Sequence, residues 1–336
     1  MTDSESTADN TSPEQHSTDQ LISQYHPKLD ALQAQIKQII IGQDGVVEQL
    51  LITLLSSGHL LLEGVPGLGK TLLIQTVAGL FNAHFKRIQF TPDLMPADVT
   101  GHTLYDMQEG KFRIRRGPIF TQFLLADEIN RAPAKTQAAL LEVMQERQVT
   151  IEGESLPLKP PFMVMATQNP LEQEGTYPLP EAELDRFLLK VVMGYPSKED
   201  EIVLTNKVVS GEIDAYISHK ERALFESRDV LELQALCAKV TLDQQIVDYA
   251  VRIVRSTRET PMLMQGAGPR AAIGLAKAAR AKAMLGGRDF VLPDDVKALV
   301  LPVLRHRVTL SAESEIDGLK ADDILLRLLE NIEAPR

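Results

Sequence analysis

The sequence has a single cysteine, Cys237, among its 336 residues. This scarcity excludes an internal disulfide and a cysteine-ligated metal cluster. Cys237 falls in the apolar helical pattern LELQALCAKV, so we expect a buried thiol of the core rather than a nucleophile. Apolar residues make up 44% of the chain, yet no run approaches the ~18 continuous apolar residues of a membrane span. We therefore expect no membrane-spanning segment.

Positive charge is also scarce, because 35 Lys and Arg face 46 Asp and Glu and give a formal net charge of −11. Proteins with general affinity for nucleic acids carry an excess of Lys and Arg, so nucleic acid is disfavoured as a partner, although a local basic loop stays possible. Residues 1–20 contain no Lys or Arg and lack the apolar segment of a signal peptide. We predict a disordered acidic tail over residues 1–20 and a cytoplasmic protein.

Glycines interrupt a leucine-rich run between Leu60 and Leu73, in LLLEGVPGLGKTLL. This segment fills every fixed position of G-x-x-x-x-G-K-[ST], a loop whose glycines let backbone N–H groups surround phosphate oxygens. A glycine-rich turn that binds nothing is the alternative, but a predicted strand, His59–Glu63, and a predicted helix, Thr71–Leu80, flank the loop as phosphate binding requires. We predict that Lys70 reaches the β- and γ-phosphates of ATP and that Thr71 ligates Mg²⁺. The predicted nucleotide contacts are Gly64, Val65, Pro66, Gly67, Leu68, Gly69, Lys70, Thr71 and Leu72.

A second apolar run ends in two acidic residues, in FLLADEIN. We predict that Asp127 holds Mg²⁺, directly or through water, and that Glu128 polarises the attacking water as a general base. Alone, an apolar run ending in Asp-Glu is common and marks a strand entering a solvated turn, but after a phosphate loop it indicates hydrolysis. The next run, FMVMATQNP, ends at Asn169, whose amide either orients the same water or forms a turn with Pro170.

Five short apolar runs predict buried strands, and the helical patterns between several of them indicate a parallel α/β sheet. The runs are His59–Glu63, Phe85–Phe90, Phe120–Ala126, Phe162–Thr167 and Phe187–Met193. Two further segments, Thr103–Arg116 and Val149–Leu158, predict inserted β-hairpins, and each is equally compatible with an ordinary surface hairpin. The pattern after Pro196 is helical throughout. We therefore predict an α/β nucleotide-binding core over residues 21–195 and an all-helical domain over residues 196–336.

Several segments, in their order along the chain, resemble the AAA+ ATPases and specifically the MoxR family. They are the phosphate loop, LLADEINRAP, ATQNP, GTYPLPEAELDRF and GPRAAIGLAKAARAKA. The resemblance covers residues 36–307, and no catalytic position departs from the family pattern. It implies a five-stranded AAA+ P-loop core, a C-terminal helical lid, and hairpins that correspond to the helix-2 insert and the pre-sensor-1 hairpin, which face the central pore or the partner.

The resemblance also implies residue roles that spacing alone does not give. Asn169 matches sensor 1, Arg186 matches the arginine finger that reaches the γ-phosphate of the neighbouring subunit, and Arg270 matches sensor 2, which contacts nucleotide from above. The segment Ile41-Gly42-Gln43 matches the one that flanks the adenine. Arg131 is a second candidate for a trans-acting arginine. An ordinary surface ion pair is the alternative for Arg186 and Arg270.

The family resemblance implies a Mg²⁺-dependent ATPase that works as a homo-oligomeric, hexameric ring on protein clients, with a von Willebrand A domain protein as partner. An arginine finger in trans is worth 10³–10⁵ in rate, so only the assembled ring would be active. Three alternatives stay open. The first is a motor subunit of a metal chelatase. The second is a DNA-processing motor, which the acidic net charge disfavours. The third is a scaffold that only binds nucleotide, which the intact catalytic positions disfavour.

Overall fold

The computed structural model describes residues 17–170, 175–213 and 223–335. Its first part contains α1 (Thr18–Ile39), α2 (Asp44–Leu55), β1 (Leu60–Glu63), α3 (Lys70–Leu80), β2 (Phe85–Gln89), α4 (Pro96–Thr100), β3 (Gly101–Asp106), β4 (Lys111–Arg116), β5 (Phe123–Asp127), α5 (Ala134–Glu146), β6 (Gln148–Ile151), β7 (Glu154–Pro157), β8 (Met163–Gln168), α6 (Glu181–Leu184) and β9 (Leu189–Val192). Its second part contains α7 (Lys198–Val209), α8 (Ser227–Lys239), α9 (Gln244–Glu259), β10 (Leu263–Gln265), α10 (Pro269–Leu285), α11 (Pro293–Leu304), β11 (Thr309–Leu310), α12 (Ala312–Ile316) and α13 (Ala321–Glu330).

The central sheet has five parallel strands in the order β2-β5-β8-β1-β9, which confirms the predicted five-stranded α/β sheet. Parallel strands are covered on both faces, so they read as continuous apolar runs. Residues Leu60 to Leu62 of β1 are fully buried. Because the strands are parallel, the segments that follow β1, β5 and β8 all leave the same edge of the sheet.

Both predicted hairpins lie outside this sheet as separate antiparallel pairs, β3 with β4 and β6 with β7. The β3-β4 pair projects apolar side chains into solvent, with Met107 and Phe112 exposed. None of the helices in the described ranges is long and apolar enough to cross a bilayer.

Helix α1 begins earlier than the sequence indicated. The predicted tail extends to residue 20, but α1 starts at Thr18. Ser17 caps it, because the Ser17 hydroxyl accepts the Gln20 N–H at 3.3 Å and the Gln20 side chain accepts the Ser17 N–H at 3.0 Å. A proline inside a helix costs about 3 kcal/mol. Buried Ile22 and Leu29 on either side of Pro27 show that one apolar face continues past it. Residues 1–16 of the predicted tail lie outside the described residues.

The C-terminal part is helical with one exception. A short antiparallel pair, β10 with β11, joins Leu263 to Leu310, so the expectation that strands stop after Pro196 is wrong in this detail. These strands are too short to show an alternating pattern in the sequence.

The apolar core is continuous between the sheet-bearing part and the C-terminal helices. Helix α2 packs against α8 and α10. At this contact Gln234 donates a hydrogen bond to the Leu54 carbonyl at 2.7 Å, and Lys282 pairs with Glu48 at 2.6 Å. The domain division near Tyr195 stays a prediction. Cys237 is buried as expected, and burial raises the pKa of its thiol to about 12.

The buried His59, just before β1, predicts a loss of stability in acid. Its Nδ1 accepts the Val164 N–H at 3.0 Å and its Nε2 lies 3.2 Å from the Met144 carbonyl, which fits a neutral ring. Burial lowers the pKa of His59 from 6.5 to about 4. In the unfolded chain this ring takes up a proton below pH 6.5, so its contribution to stability is complete above that pH and is lost as the pH falls towards 4. At 1.36 kcal/mol per pH unit, the loss reaches about 2 kcal/mol by pH 5.

We expect the urea midpoint of the wild type to fall more between pH 7 and pH 5 than that of His59→Gln, which keeps a donor and an acceptor but does not titrate. Equal pH dependence of the two proteins would contradict this assignment.

Candidate nucleotide site

The loop between β1 and α3 is built around glycine at its first position. The Gly64 N–H donates to the Gln168 carbonyl at 3.2 Å, and a Cβ on Gly64 would lie 2.8 Å from the Met193 carbonyl oxygen. The loop ends at Gly69, the N-cap of α3, so the free N–H groups of that helix face the loop. This arrangement is the one the sequence motif predicts.

Lys70 is the first residue of α3, and its Nζ donates a hydrogen bond to the Gly64 carbonyl of its own loop. Burial lowers the pKa of Lys70, while the nearby carboxylates of Asp127 and Glu128 raise it. The lysine therefore lies within electrostatic reach of both predicted catalytic acids.

A cavity of about 350 Å³ opens beside this loop. Its walls come from the phosphate loop and the start of α3, the end of α1 with its connection to α2, and the segment after β9 with α7: Ile39, Ile40, Ile41, Gln43, Pro66, Gly67, Leu68, Gly69, Leu72, Tyr195, Pro196, Glu201, Leu204, Val208 and Ile213. Gln43 fixes the connection by donating to the Gly194 carbonyl at 2.8 Å. Gly42 is needed there, because a Cβ would lie 2.8 Å from the Asp200 carboxylate. A mostly apolar cleft beside a phosphate loop fits a nucleotide base.

Asp127 ends β5 with both carboxylate oxygens engaged. Its Oδ1 accepts the Thr167 hydroxyl at 2.5 Å, and its Oδ2 accepts Arg87 Nη2 at 2.6 Å and Nε at 3.1 Å. A carboxylate together with the Thr71 hydroxyl gives the hard oxygen ligands that Mg²⁺ takes alongside substrate phosphates. The donor types of these two residues therefore suit the predicted metal, and Arg87 occupies Asp127 Oδ2 in this structure.

Glu128 is held in the left-handed backbone region, with φ 55°, a conformation that costs a non-glycine residue about 1–3 kcal/mol. Its N–H donates to the Thr167 hydroxyl at 2.9 Å. Its Oε2 accepts Gln89 Nε2 at 2.7 Å and Arg131 Nη1 at 2.9 Å. Arg131, the second candidate for a trans-acting arginine, is thus paired with the base of its own chain.

Two residues that were not predicted from the sequence, Arg87 and Gln89, connect the two acids. Arg87 Nη2 donates to Gln89 Oε1 at 2.7 Å, so the Gln89 amide nitrogen faces Glu128. Gln89 is the cross-strand partner of Asp127. The only signal in the sequence is that Arg87 and Gln89, two residues apart in a short strand, point to the same face of the sheet. This signal indicates a role in the site only when β2 is known to lie beside β5.

Asn169 follows β8 directly and is buried. Because β8 lies between β5 and β1, this position falls between the two acids and the phosphate loop. The choice between orienting a water and forming a turn with Pro170 stays open, and the role of Asn169 as sensor 1 stays a prediction.

Arg186 lies at the opposite edge of the sheet from these residues. The N–H of Leu188 donates to the His59 carbonyl at 2.9 Å, so β9 and β1 begin side by side, whereas the phosphate loop follows the far end of β1. Four residues of strand separate these edges by at least ~13 Å. The Nε and Nη1 of Arg186 are buried without a hydrogen-bond partner in the described part of the chain.

Arg270 lies at the same edge as Arg186, with its Nη1 3.5 Å from Asp185 Oδ2. The role of Arg270 as sensor 2, which contacts nucleotide from above, stays a prediction. Arg270 lies in the first turn of α10, and no local pattern in the sequence indicates the edge of the sheet at which this helix begins.

Comparisons with known proteins agree with this geometry. A family model described as the ATPase family associated with various cellular activities (AAA) matches residues 59–189, and a model of the AAA lid domain matches residues 255–328. The chain is 45% identical to Chaperone MoxR1 of Mycobacterium tuberculosis, covering 90% of this chain and 81% of that one. It is 44% identical to the uncharacterized protein YeaC of Bacillus subtilis, covering 92% and 96%. A crystal structure of a candidate ATPase from Cytophaga hutchinsonii is 40% identical, with a TM-score of 0.86 over 94% of this chain and 98% of that chain. The chain belongs to the MoxR family of AAA+ ATPases.

Proposed function

We propose that the protein is a Mg²⁺-dependent ATPase that hydrolyses ATP to ADP and phosphate within a homo-oligomeric ring. The observation that carries this proposal is that one loop and three polar side chains meet at one edge of the sheet. The phosphate loop, the two acids at the end of β5 and Asn169 all lie there, beside the cavity that fits a base. Separate residues for binding phosphate, holding metal and activating water are what phosphoryl transfer to water requires.

Each group has a task in this proposal. Lys70 and the N–H groups at the start of α3 bind the phosphates, and Thr71 with Asp127 holds Mg²⁺, which when bound neutralises charge on the phosphate oxygens. Glu128 accepts a proton from the attacking water, which Asn169 helps to orient. Gln89 and Arg131 both bind Glu128 Oε2 in this structure and hold the carboxylate in place, and its other oxygen, Oε1, can accept the proton of the water.

The ring completes the site with a cation from the next subunit. Arg186 cannot reach the phosphates of its own chain, yet it keeps two buried donors without partners in the described residues. A buried guanidinium is costly unless paired, so a nucleotide across a subunit interface is a suitable partner. We propose a hexamer in which Arg186, with Arg270 beside it, faces the neighbouring site.

We further propose that the nucleotide cycle remodels protein clients. Chaperone MoxR1 of Mycobacterium tuberculosis carries a chaperone name, and the similarity over 90% of this chain supports a related role here. A partner with a von Willebrand A domain is part of the same proposal.

Lys70→Ala tests the nucleotide site. Removing the ammonium group takes away charge-assisted hydrogen bonds to the β- and γ-phosphates, so we expect ATP affinity to fall by about 10- to 150-fold. Titration calorimetry with Mg·ATP measures this, and Lys159→Ala, which removes an exposed lysine elsewhere, serves as the matched control. Equal affinity of the two variants would place the nucleotide elsewhere.

A further inference from the structure

We infer that Arg307, on the C-terminal side of the molecule, is the positioning residue that aims Arg186 at the neighbouring subunit's nucleotide. This inference rests on the shared-site ATPase proposed above. It concerns a residue outside both the phosphate loop and the acids, on the segment between α11 and β11.

The Arg307 guanidinium binds the chain immediately before and after Arg186. Its Nε donates to Asp185 Oδ1 at 2.7 Å, its Nη2 to the Phe187 carbonyl at 2.6 Å, and its Nη1 to the Leu188 carbonyl at 3.1 Å. The side chain is 5% exposed. One planar, buried cation therefore binds residues on both sides of Arg186: the carboxylate of Asp185 before it and two backbone carbonyls after it.

The Arg186 guanidinium interacts electrostatically with the Glu183 carboxylate. Its Nε and Nη1 find no hydrogen-bond partner among the described residues, although both atoms are buried. The backbone N–H of Arg186 donates to the Glu183 carbonyl at 3.1 Å, so its backbone is held, and its charged end has to turn out of this buried position to reach a neighbouring subunit. The orientation of that end is then determined by the backbone on either side, which Arg307 grips.

Arg307 also connects the finger to the C-terminal helices. Asp185, the residue before Arg186, accepts a hydrogen bond from Arg307 and lies 3.5 Å from Arg270. Asp185 therefore contacts both the start of α10 and the segment after α11. Burial lowers the pKa of Arg307 and the Asp185 carboxylate opposes that effect, as expected for a buried cation that depends on its pair. A shift of α10 or α11 relative to the sheet would move Arg186. The position of one subunit's C-terminal helices would thereby control hydrolysis in the next subunit.

Arg307→Lys tests the inference, because lysine keeps the charge but cannot bind Asp185 and two carbonyls in one plane. We expect kcat to fall roughly 10- to 100-fold, with KM for ATP within about 2-fold, because misplacing a catalytic group costs rate without affecting substrate binding. The matched control is Arg305→Lys. Arg305 is also mostly buried, but it pairs with Asp322 at 2.9 Å and does not contact Asp185. We expect this control to keep kcat within about 2-fold.

Mixing experiments separate positioning from general destabilisation. Lys70→Ala has an empty site but an intact finger, so mixing it with Arg307→Lys should restore activity. Arg186→Ala has no finger to offer, so mixing it with Arg307→Lys should restore none. The inference would be overturned if activity recovered in both mixtures or in neither of them. It would also be overturned if the control Arg305→Lys lost as much kcat as Arg307→Lys.

Two further measurements keep the test decisive. Circular dichroism shows whether Arg307→Lys folds. If it does not, Asp185→Asn replaces it, because asparagine removes the charge that Arg307 binds at nearly constant shape. Asp185→Asn should then give the same kinetic and mixing pattern, and a different pattern would refute the role of Arg307. If Arg186→Ala and Lys70→Ala fail to complement each other although subunits exchange, the shared site itself fails and this inference fails with it.

Discussion

Replacing Glu128 by glutamine is expected to slow ATP turnover at least ~100-fold while Mg·ATP still binds. Glutamine keeps the size of the side chain and still offers an oxygen to Gln89 and Arg131, but it cannot take a proton from water. Phosphate release at saturating ATP measures the chemical step, and calorimetry measures binding. The variant should also accumulate in the ATP-bound state and favour the assembled ring, which size-exclusion chromatography with ATP would show.

A glutamate outside the site gives the matched comparison. Glu142 is exposed on α5, so Glu142→Gln removes the same charge without touching the network around β5. We expect it to turn over ATP at the wild-type rate. If Glu128→Gln retained turnover within about 2-fold of Glu142→Gln, Glu128 would not be the base.

The parts of the site that the sequence predicts are those made of neighbouring residues. The phosphate loop and the Asp127-Glu128 pair are each a few residues long, because a loop that surrounds phosphate and a strand that ends in acids are local structures. The five strands are likewise visible as apolar runs, since both faces of a parallel sheet are buried. Local chemistry and burial therefore determine most of the nucleotide site.

Features that depend on strand order were not predictable in the same way. Arg87 becomes part of the site because β2 pairs with β5, an arrangement that joins distant segments and leaves no local pattern. Arg307 is equally invisible, because its bonds to Phe187 and Leu188 depend on how the C-terminal helices pack on β9. The contact of Arg270 with Asp185 is non-local in the same way. Non-local packing, rather than residue type, decides where each of these arginines lies relative to the candidate site.

Arg186→Ala is expected to bind ATP normally and to hydrolyse it about 10³-fold more slowly, because the transferred phosphoryl group loses the cation that neutralises its charge. Arg228→Ala, which removes an arginine whose side chain is 82% exposed, is the control and should remain active. Each variant is assayed alone for phosphate release and for ATP affinity.

The test of a shared site is a mixture of Arg186→Ala with Lys70→Ala, both nearly inactive alone. In a head-to-tail ring every interface joins one subunit's nucleotide to its neighbour's finger. A random one-to-one mixture therefore places an intact finger against an occupied site at about a quarter of the interfaces, which sets the largest recovery to expect. Energy transfer between labelled subunits confirms that they exchange. If exchange occurs and activity stays at the sum of the two variants, Arg186 does not act in trans. The role would then pass to Arg270, which lies beside it at the same edge of the sheet.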